Sequence, residues 1–330
     1  MPELTQAQIR SFQQARGLSV TGEIDDVTAR ALEEARWKLG DRSLNLQTPP
    51  LMRGDDVAAL QSRLTEMGFD CGRVDGIYGP RSEAAVKEFQ QSVGINVDGK
   101  CGPATIIALL RLTRIVSGGA PSAMRESATQ RNRGPALANK VIVLNPDGSN
   151  PLIYDVAVRT EGRLLALGAS VFLTRGVSNN PTEFERIAFT NQSAADLMIS
   201  LHLDKYKNEQ AHGVATYFYG SDAHGVHSIV GERFASLVQR ELCARTDLAN
   251  CRTHAKAWDL LRLTRAPAVQ IDCGYESNPG DMERIARADF RDVIAEALVI
   301  AIQRLYLAAE DDAKTGTLRI ADLRSAGIRR

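Results

Sequence analysis

The stretch Val141-Ile-Val-Leu-Asn-Pro-Asp-Gly-Ser-Asn150 decides the fold of the C-terminal half of this chain. Its four leading apolar residues predict a short buried strand, and Asn-Pro-Asp-Gly predicts the turn that ends it. Two further apolar runs end in polar groups, at Ser200-Leu-His202 and at Gln270-Ile-Asp272-Cys-Gly274. Because open α/β sheets place ligands and chemistry at the ends of neighbouring strands, we expect these three strand ends to form one site.

Outward from this stretch, residues 140–307 alternate between short apolar runs and longer amphipathic segments. The pattern predicts an α/β fold with a mixed, mostly parallel sheet that is covered by helices. Beyond 141–144, strands are expected at 169–175, 196–203, 213–219 and 267–273. Helices are expected at 153–167, 182–193, 224–243, 281–286 and 290–307.

The N-terminal part contains an internal repeat. Residues 9–32 match residues 86–109 at a constant offset, so that Phe12-Gln13 corresponds to Phe89-Gln90. Each copy predicts a helix, a glycine C-cap, a short loop and a second helix. The second copy also has a preceding predicted helix, 55–67. This divides the chain into a partial helical copy (1–40), a complete helical module (50–112), a Gly/Ser/Arg/Ala-rich linker (113–139), the α/β domain (140–307) and a polar tail (308–330).

The complete module resembles the small three-helix peptidoglycan-binding module. The resemblance rests on Gly54-Asp-Asp-Val-Ala-Ala-Leu-Gln61, Asp75-Gly-Ile-Tyr-Gly-Pro80, Phe89-Gln90 and Asp98-Gly-Lys-Cys-Gly-Pro-Ala-Thr105. It implies a glycan or wall-precursor ligand, which exposed loop residues such as Tyr78 and Arg81 would contact. The alternative is that the motif residues only stabilise the module.

Bulk composition excludes several classes of partner. Lys+Arg and Asp+Glu both number 40, so the chain has no net charge that would favour DNA or anionic lipid. The start of the chain has no pattern of a secretory signal, and five cysteines suit a reducing compartment, with Cys71 and Cys101 as reduced structural thiols. We therefore expect a cytoplasmic location.

Residues 140–307 resemble the zinc-dependent N-acetylmuramoyl-L-alanine amidase domain, an amide-bond hydrolase. The closest segments are 167–175, 185–191, 195–202 and Gly274-Tyr-Glu-Ser-Asn278. In that family, zinc is held by a His in D-P-G-H-G-G, by a Glu about a dozen residues later, and by the His of S-I-H-A-N. A Glu in V-E-x-G-F-x-S-N-P acts as the general base on the metal-bound water.

Carried over to this chain, the resemblance leaves a degenerate site. His202 matches the third ligand, but Asn145-Pro-Asp147-Gly148 has no imidazole, and the second ligand falls near Ser149. Asp272 replaces the catalytic Glu. A catalytic zinc needs about three protein ligands, and a carboxylate shortened by about 1 Å can cost about 100-fold in rate. The resemblance therefore implies a pseudoenzyme without a resident cofactor; the alternative is an active zinc amidase in which Asp147 and Asp272 are stand-ins.

Other possible ligands are weaker. His212, His224 and His227 are expected to be surface or core histidines, and Asp204 is expected to face solvent at a strand end. Strand alternation points Cys273 to the opposite sheet face from Asp272, into the core.

The combination of both domains with a Thr315-Gly-Thr317 tail resembles a family of amidase-like regulators of peptidoglycan precursor synthesis in actinobacteria. That resemblance implies phosphorylation of Thr315 and Thr317 by a Ser/Thr kinase, and stimulation of a MurA-like enolpyruvyl transferase. It also implies an FHA-domain protein and a MurJ-like flippase as partners. A phosphate adds about −1.5 to −2 charge, which an Arg cluster on a partner can bind. The alternative for this tail is an unmodified, solvated segment.

Overall fold

A computed structural model of the chain describes residues 4–112, 126, 128, 130, 134–148, 150–221 and 226–307. The chain divides into two compact units, a helical N-terminal unit and an α/β C-terminal unit. Within the described ranges, no helix is both long enough and apolar enough to cross a membrane. Thr315 and Thr317 lie outside the described residues, as does most of the expected linker.

The helical unit contains five helices: α1 (Gln6–Ala15), α2 (Asp26–Glu34), α3 (Asp55–Glu66), α4 (Pro80–Ser92) and α5 (Pro103–Arg111). Proline is the first residue of both α4 and α5. It is favoured there because the first N–H of a helix has no partner within the helix, so proline loses no hydrogen bond. The buried apolar faces of α3 and α4 form a small core around Leu60, Leu64 and Phe89.

In the helical unit, each copy of the turn is stabilised by hydrogen bonds from a buried glutamine side chain. Nε2 of Gln90 donates hydrogen bonds to Asp98 Oδ1 at 2.8 Å and to Thr105 Oγ1 at 3.0 Å, while its Oε1 accepts from the backbone N–H of Gly99 at 2.9 Å. Gln13 and Gln61 form the corresponding network in their own turns. The structure therefore contains a third copy of the turn, centred on Gln61, that the sequence repeat did not reveal.

Tyr78 is not the exposed glycan contact that we expected. Its side chain is fully buried in the core of the helical unit, and its hydroxyl donates a hydrogen bond to the carbonyl of Gly99 at 2.8 Å. The prediction failed because an aromatic residue in a turn motif can point inward when a backbone acceptor receives its hydroxyl. Arg81, at the start of α4, is exposed.

The two cysteines of this unit, Cys71 and Cys101, are buried free thiols. Burial raises the pKa of Cys101 to about 12, so its thiol stays protonated and acts as a small apolar core side chain.

The α/β unit is built on a seven-stranded sheet with the order β2-β1-β3-β7-β4-β5, and β6 pairs with β4. Strands β1, β2, β3 and β7 are parallel, whereas β4 runs antiparallel to β7, which confirms the predicted mixed sheet. The strands are β1 (Val141–Pro146), β2 (Ser170–Leu173), β3 (Leu197–Asp204), β4 (Val214–Ser221), β5 (Val226–His227), β6 (Asn250–Lys256) and β7 (Ala268–Tyr275).

Six helices accompany the sheet: α6 (Pro151–Ala166), α7 (Glu183–Gln192), α8 (Ile229–Arg245), α9 (Asp259–Leu263), α10 (Pro279–Ala286) and α11 (Ala288–Tyr306). Helices α6, α8 and α11 pack on one sheet face over a core that includes Leu144, Leu201 and Ile271. Because side chains alternate along a strand, Asn145, Ser200 and Asp272 point to the other face, where the polar residues collect.

Three elements were missed and one was misplaced. Strand β5 lies where a helix was expected, and strand β6 and the short helix α9 follow α8, where we predicted neither. The helix expected from His224 begins at Ile229, because Ser228 caps it by accepting a hydrogen bond from the N–H of Gly231 at 2.9 Å.

Candidate functional site

The ends of β1, β3 and β7 meet on the polar sheet face. In the strand register, Asn145 of β1 pairs with Ser200 of β3, and His202 of β3 pairs with Asp272 of β7. Residues paired in register point to the same side of a sheet. The three polar strand ends therefore lie side by side, as the sequence predicts.

A closed ring of hydrogen bonds and one imidazole–carboxylate contact joins five side chains at this site: Asn145, Asp147, Arg186, Ser200 and His202. Nδ2 of Asn145 donates to Ser200 Oγ at 2.7 Å, and Ser200 Oγ lies 2.7 Å from His202 Nε2. Nδ1 of His202 lies 3.2 Å from Asp147 Oδ2. Nη1 of Arg186 closes the ring by donating to Asp147 Oδ1 at 2.8 Å and to Asn145 Oδ1 at 3.3 Å.

The partners of His202 define its tautomer. The Asp147 carboxylate can only accept, so Nδ1 of His202 carries the proton, and Nε2 accepts from the Ser200 hydroxyl. Burial lowers the pKa of His202 to about 4; Asp147 acts in the opposite direction, and Arg186 reinforces the lowering. His202 is therefore a neutral imidazole at pH 7 with both ring nitrogens engaged.

Two further side chains support the ring from outside. Oγ1 of Thr174 donates to Asn145 Oδ1 at 2.5 Å. Nε of Arg175 donates to the carbonyl of Pro146 at 2.8 Å, and its guanidinium lies 4.9 Å from the ring centroid of Tyr154. The turn after β1 is thus held by hydrogen bonds to its backbone as well as to its side chains.

Asp272 lies beside this ring but does not belong to it. Its side chain is 3 % exposed, and its Oδ1 accepts a hydrogen bond from Gln270 Nε2 at 3.1 Å. Tyr217 of β4 supplies a second hydrogen bond. Burial raises the pKa of Asp272 to about 7, because desolvation of the carboxylate outweighs the two hydrogen bonds that favour it.

Ser200, His202 and Asp147 have the connectivity of a nucleophilic triad, but they do not act as one. The Ser200 side chain has no exposed surface, and its oxygen accepts the hydrogen bond from Asn145. A nucleophile must lie within about 3–3.5 Å of its substrate atom, and no substrate carbonyl reaches a fully enclosed oxygen. The chain of hydrogen bonds therefore holds the strand ends together.

The structure separates the remaining candidate ligands from the site. The backbone carbonyl of His212 accepts from Cys251 Sγ, while His227 lies on the surface 3.5 Å from Glu232. His224 lies outside the described residues. Cys273 is buried in the core on the opposite sheet face, as alternation predicts. Asp204 is half-buried at the end of β3 and accepts from the N–H of Lys205 at 2.7 Å.

Arg186 and Tyr217 escaped the sequence reasoning, and Asn145 and Ser200 were expected at the strand ends but were given no role. Asn145 and Ser200 carry a signal that was available, because both are polar residues inside apolar strand runs and so need buried partners. Arg186 comes from α7, and only the tertiary structure brings its guanidinium to the end of β1.

These residues do not fit a catalytic zinc. Among the described residues, His202 is the one imidazole at the site, with Ser200 against its Nε2 and Asp147 against its Nδ1; the Asp147 carboxylate is held by Arg186. Among the residues that the structure describes, no group of three or more His, Cys, Asp or Glu side chains could hold a metal ion. A catalytic zinc site needs about three protein ligands with free lone pairs.

Comparison with known proteins agrees with this architecture. The family model for N-acetylmuramoyl-L-alanine amidase matches residues 150–304, and that for a putative peptidoglycan binding domain matches residues 2–32 and 53–109. The chain is 42 % identical to N-acetylmuramoyl-L-alanine amidase CwlM of Mycobacterium tuberculosis, over 97 % of this chain and 83 % of that protein.

More distant relatives match the α/β unit. The germination-specific N-acetylmuramoyl-L-alanine amidase of Bacillus subtilis is 26 % identical over 52 % of this chain and 81 % of its own length. The crystal structure of the amidase Ami1 from Mycobacterium smegmatis covers 52 % of this chain and 98 % of its own, with 20 % identity and a TM-score of 0.46.

A helical peptidoglycan-binding-type unit followed by a mixed α/β unit defines an amidase-type protein. The chain belongs to the N-acetylmuramoyl-L-alanine amidase family, among the relatives of CwlM.

Proposed function

We propose that this chain is a non-hydrolytic member of its family that regulates peptidoglycan precursor synthesis in the cytoplasm. The observation that carries the proposal is the hydrogen-bonded state of His202. Its Nδ1 lies 3.2 Å from Asp147, and the lone pair of its Nε2 accepts from Ser200 Oγ at 2.7 Å, while the Asp147 carboxylate that would have to join it as a ligand is paired with Arg186. An amidase of this type needs a zinc-bound water as its nucleophile.

The regulatory part of the proposal rests on the family resemblance. In it, a Ser/Thr kinase phosphorylates Thr315 and Thr317, and the modified tail stimulates a MurA-like enolpyruvyl transferase. An FHA-domain protein and a MurJ-like flippase are the other proposed partners, and the helical unit binds peptidoglycan or its precursors, with Arg81 as an exposed contact. A phosphate is suited to such a role, because its charge and its acceptor oxygens are recognised by Arg side chains.

Metal content and hydrolysis test the non-hydrolytic part. After dialysis of the purified full chain against zinc, we expect less than about 0.1 zinc per chain, because a site with fewer than three ligands binds zinc weakly. We also expect no cleavage of muropeptides, and a His202→Ala variant should have the same low zinc content. Stoichiometric zinc that is lost in His202→Ala would overturn the proposal.

Transferase stimulation tests the regulatory part. The kinase-treated chain should stimulate a purified MurA-like transferase, and a Thr315→Ala/Thr317→Ala variant should not. Ser325→Ala, in the same tail, is the matched control and should stimulate normally. Stimulation that survives in the double variant would reject the assigned phosphoacceptors.

An active zinc amidase is the second candidate, and one observation favours it. Asp272 stands opposite His202 in the strand register, and its pKa of about 7 suits a general acid–base group. On this reading Asp147 would have to leave Arg186 to become a ligand. The metal and cleavage measurements above separate the two candidates.

A further inference from the structure

The three glutamine turns of the helical unit differ at one position. In the turns around Gln13, Gln61 and Gln90 (the first, second and third turns), the glutamine Oε1 accepts from the N–H of a glycine, which is Gly22, Gly76 or Gly99. The residue two positions after that glycine is Ile24 in the first turn, Tyr78 in the second and Cys101 in the third. These three residues therefore occupy equivalent places.

An extended segment of the chain covers this place in the second and third turns. Leu44 and Cys101 form an antiparallel bridge, in which the N–H of each residue donates to the carbonyl of the other, at 3.1 and 2.8 Å. The N–H of Tyr78 donates to the carbonyl of Met52 at 2.9 Å. The side chains of Tyr78, Cys101 and Leu44 have no exposed surface and belong to the core of the unit. Backbone pairing and burial of the side chain therefore occur together.

The first turn has no such cover within the described residues. The Ile24 side chain is 51 % exposed, and its N–H donates to no carbonyl of the described chain. Val27, three residues further on at the start of α2, is also exposed. The glutamine network of this turn is nevertheless complete, with Gln13 bonded to Thr28 at 3.0 Å. The turn thus has the geometry that is paired elsewhere, with an open backbone donor beside an apolar side chain.

We propose that the first turn docks an extended peptide segment of a partner protein, which forms an antiparallel bridge with Ile24 and buries its side chain. Backbone hydrogen bonds to an open donor, together with one apolar contact, are the usual means by which an extended peptide is bound. The docked segment would present an apolar residue to Ile24, as Leu44 does to Cys101. This inference goes beyond the proposed function and shares no residue with it.

The charges around Ile24 favour such a peptide over other occupants. Three exposed carboxylates lie within two residues of it, those of Glu23, Asp25 and Asp26. Arg10 and Arg30 lie nearby and balance only two of them. A two-fold contact with a second copy would set these carboxylates against the same three groups, and like charges across an interface oppose binding. A peptide with an apolar residue and a basic neighbour meets them with opposite charge.

A peptide titration of the full chain tests the docking. The probe is the blocked peptide Arg-Ser-Leu-Asn-Leu-Gln, the sequence of residues 42–47, which carries the residue that covers Cys101. In NMR spectra it should shift the amide of Ile24 with a Kd of about 1 mM or tighter. At saturation, exchange of the Ile24 amide should slow by at least about tenfold, because its N–H gains a carbonyl partner. The Cys101 amide, already bonded to Leu44, should not change.

Matched variants separate the docking from a general effect of charge. Ile24→Asp should weaken binding of the peptide by at least about tenfold, because the apolar contact is lost. Val97→Asp adds the same charge beside the third turn, at a side chain that is 48 % exposed, and should bind the peptide normally. Since both side chains are exposed, neither change disturbs the core. The peptide with Leu44→Asp should not bind.

Three results would overturn the proposal. The first is an Ile24 amide that does not respond to the peptide, or equal binding by Ile24→Asp. The second is protection of Ile24 that rises with protein concentration without peptide, which would assign the place to a second copy. The third is a shift of Ile24 by soluble muropeptides but not by the peptide, which would assign it to a glycan.

Discussion

Oδ2 of Asp147 lies 3.2 Å from Nδ1 of His202, so a carboxylate in the turn after β1 orients the imidazole near the end of β3. The carboxylate does this while its other oxygen accepts from Arg186. A guanidinium, a carboxylate and a neutral imidazole therefore lie in contact at the end of β1.

Replacing Asp147 by Asn should destabilise the α/β unit. The Arg186 side chain is buried and would lose its charged partner, although the carbonyls of Asn145 and Pro181 remain as acceptors. We expect the free energy of unfolding in urea to fall by about 1–2 kcal/mol. Asp289→Asn, which breaks the exposed pair with Arg287, is the control and should change stability by less than about 0.5 kcal/mol.

The pKa of His202 makes stability depend on pH in a defined window. Its pKa is about 4 in the folded chain against 6.5 in the unfolded chain, so between these values the unfolded state binds more protons. The contribution of His202 to the free energy of unfolding is fully present above pH 6.5. It falls by up to about 3 kcal/mol as the pH drops toward 4. The difference between wild type and His202→Gln, measured by urea unfolding from pH 4 to 7.5, should shrink in that direction. A difference that stays constant with pH would contradict the assignment of a neutral imidazole.

The contribution of Asp272 to stability depends on pH in the opposite sense. Its pKa is about 7 in the folded chain against 3.8 in the unfolded chain, so the folded state retains the proton as the pH rises between them. The cost of the buried carboxylate is complete above pH 7 and amounts to roughly 2–4 kcal/mol. Asp272→Asn should therefore gain stability relative to wild type between pH 5 and pH 8.5. An NMR titration of the Asp272 carboxyl that gives a pKa near 4 would rule this out.

The glutamine networks should control the stability of the helical unit. Gln90→Ala removes the partner of the exposed Asp98 and those of the buried Thr105 and the buried N–H of Gly99, and should cost about 2–4 kcal/mol. Gln91→Ala, an exposed neighbour on the same helix, should be nearly neutral. Thermal unfolding of both variants, followed by circular dichroism, gives the comparison. Equal melting temperatures would show that the network is dispensable.

Local patterns predicted much of the fold because they report which side of an element is buried. The alternation around Ser200 and His202, and the apolar run before Asn145, place three strands and their polar ends correctly. The register that brings His202 opposite Asp272 was not predicted, because the parallel order of two strands fixes their direction but not which residues pair.

The predictions that failed concern contacts between distant parts of the chain. Tyr78 stands in a turn motif, but its burial is decided by the carbonyl of Gly99. Arg186 belongs to a helix whose own pattern gives no sign of a partner at the end of β1. The turn around Gln61 repeats those of Gln13 and Gln90 in geometry, with Ser82 where the others have threonine; the shared turn motif was visible in the sequence, but the glutamine network that joins it was not.

The contacts at the end of β1 also limit how a metal site could be engineered into this chain. A histidine placed in the turn after β1, for example by Gly148→His, would present an ion with a neighbouring imidazole whose Nε2 accepts from Ser200 and whose Nδ1 lies against Asp147. The ion would have to displace the Ser200 hydroxyl before it gained His202 as a ligand. A single added imidazole should therefore bind a metal only weakly.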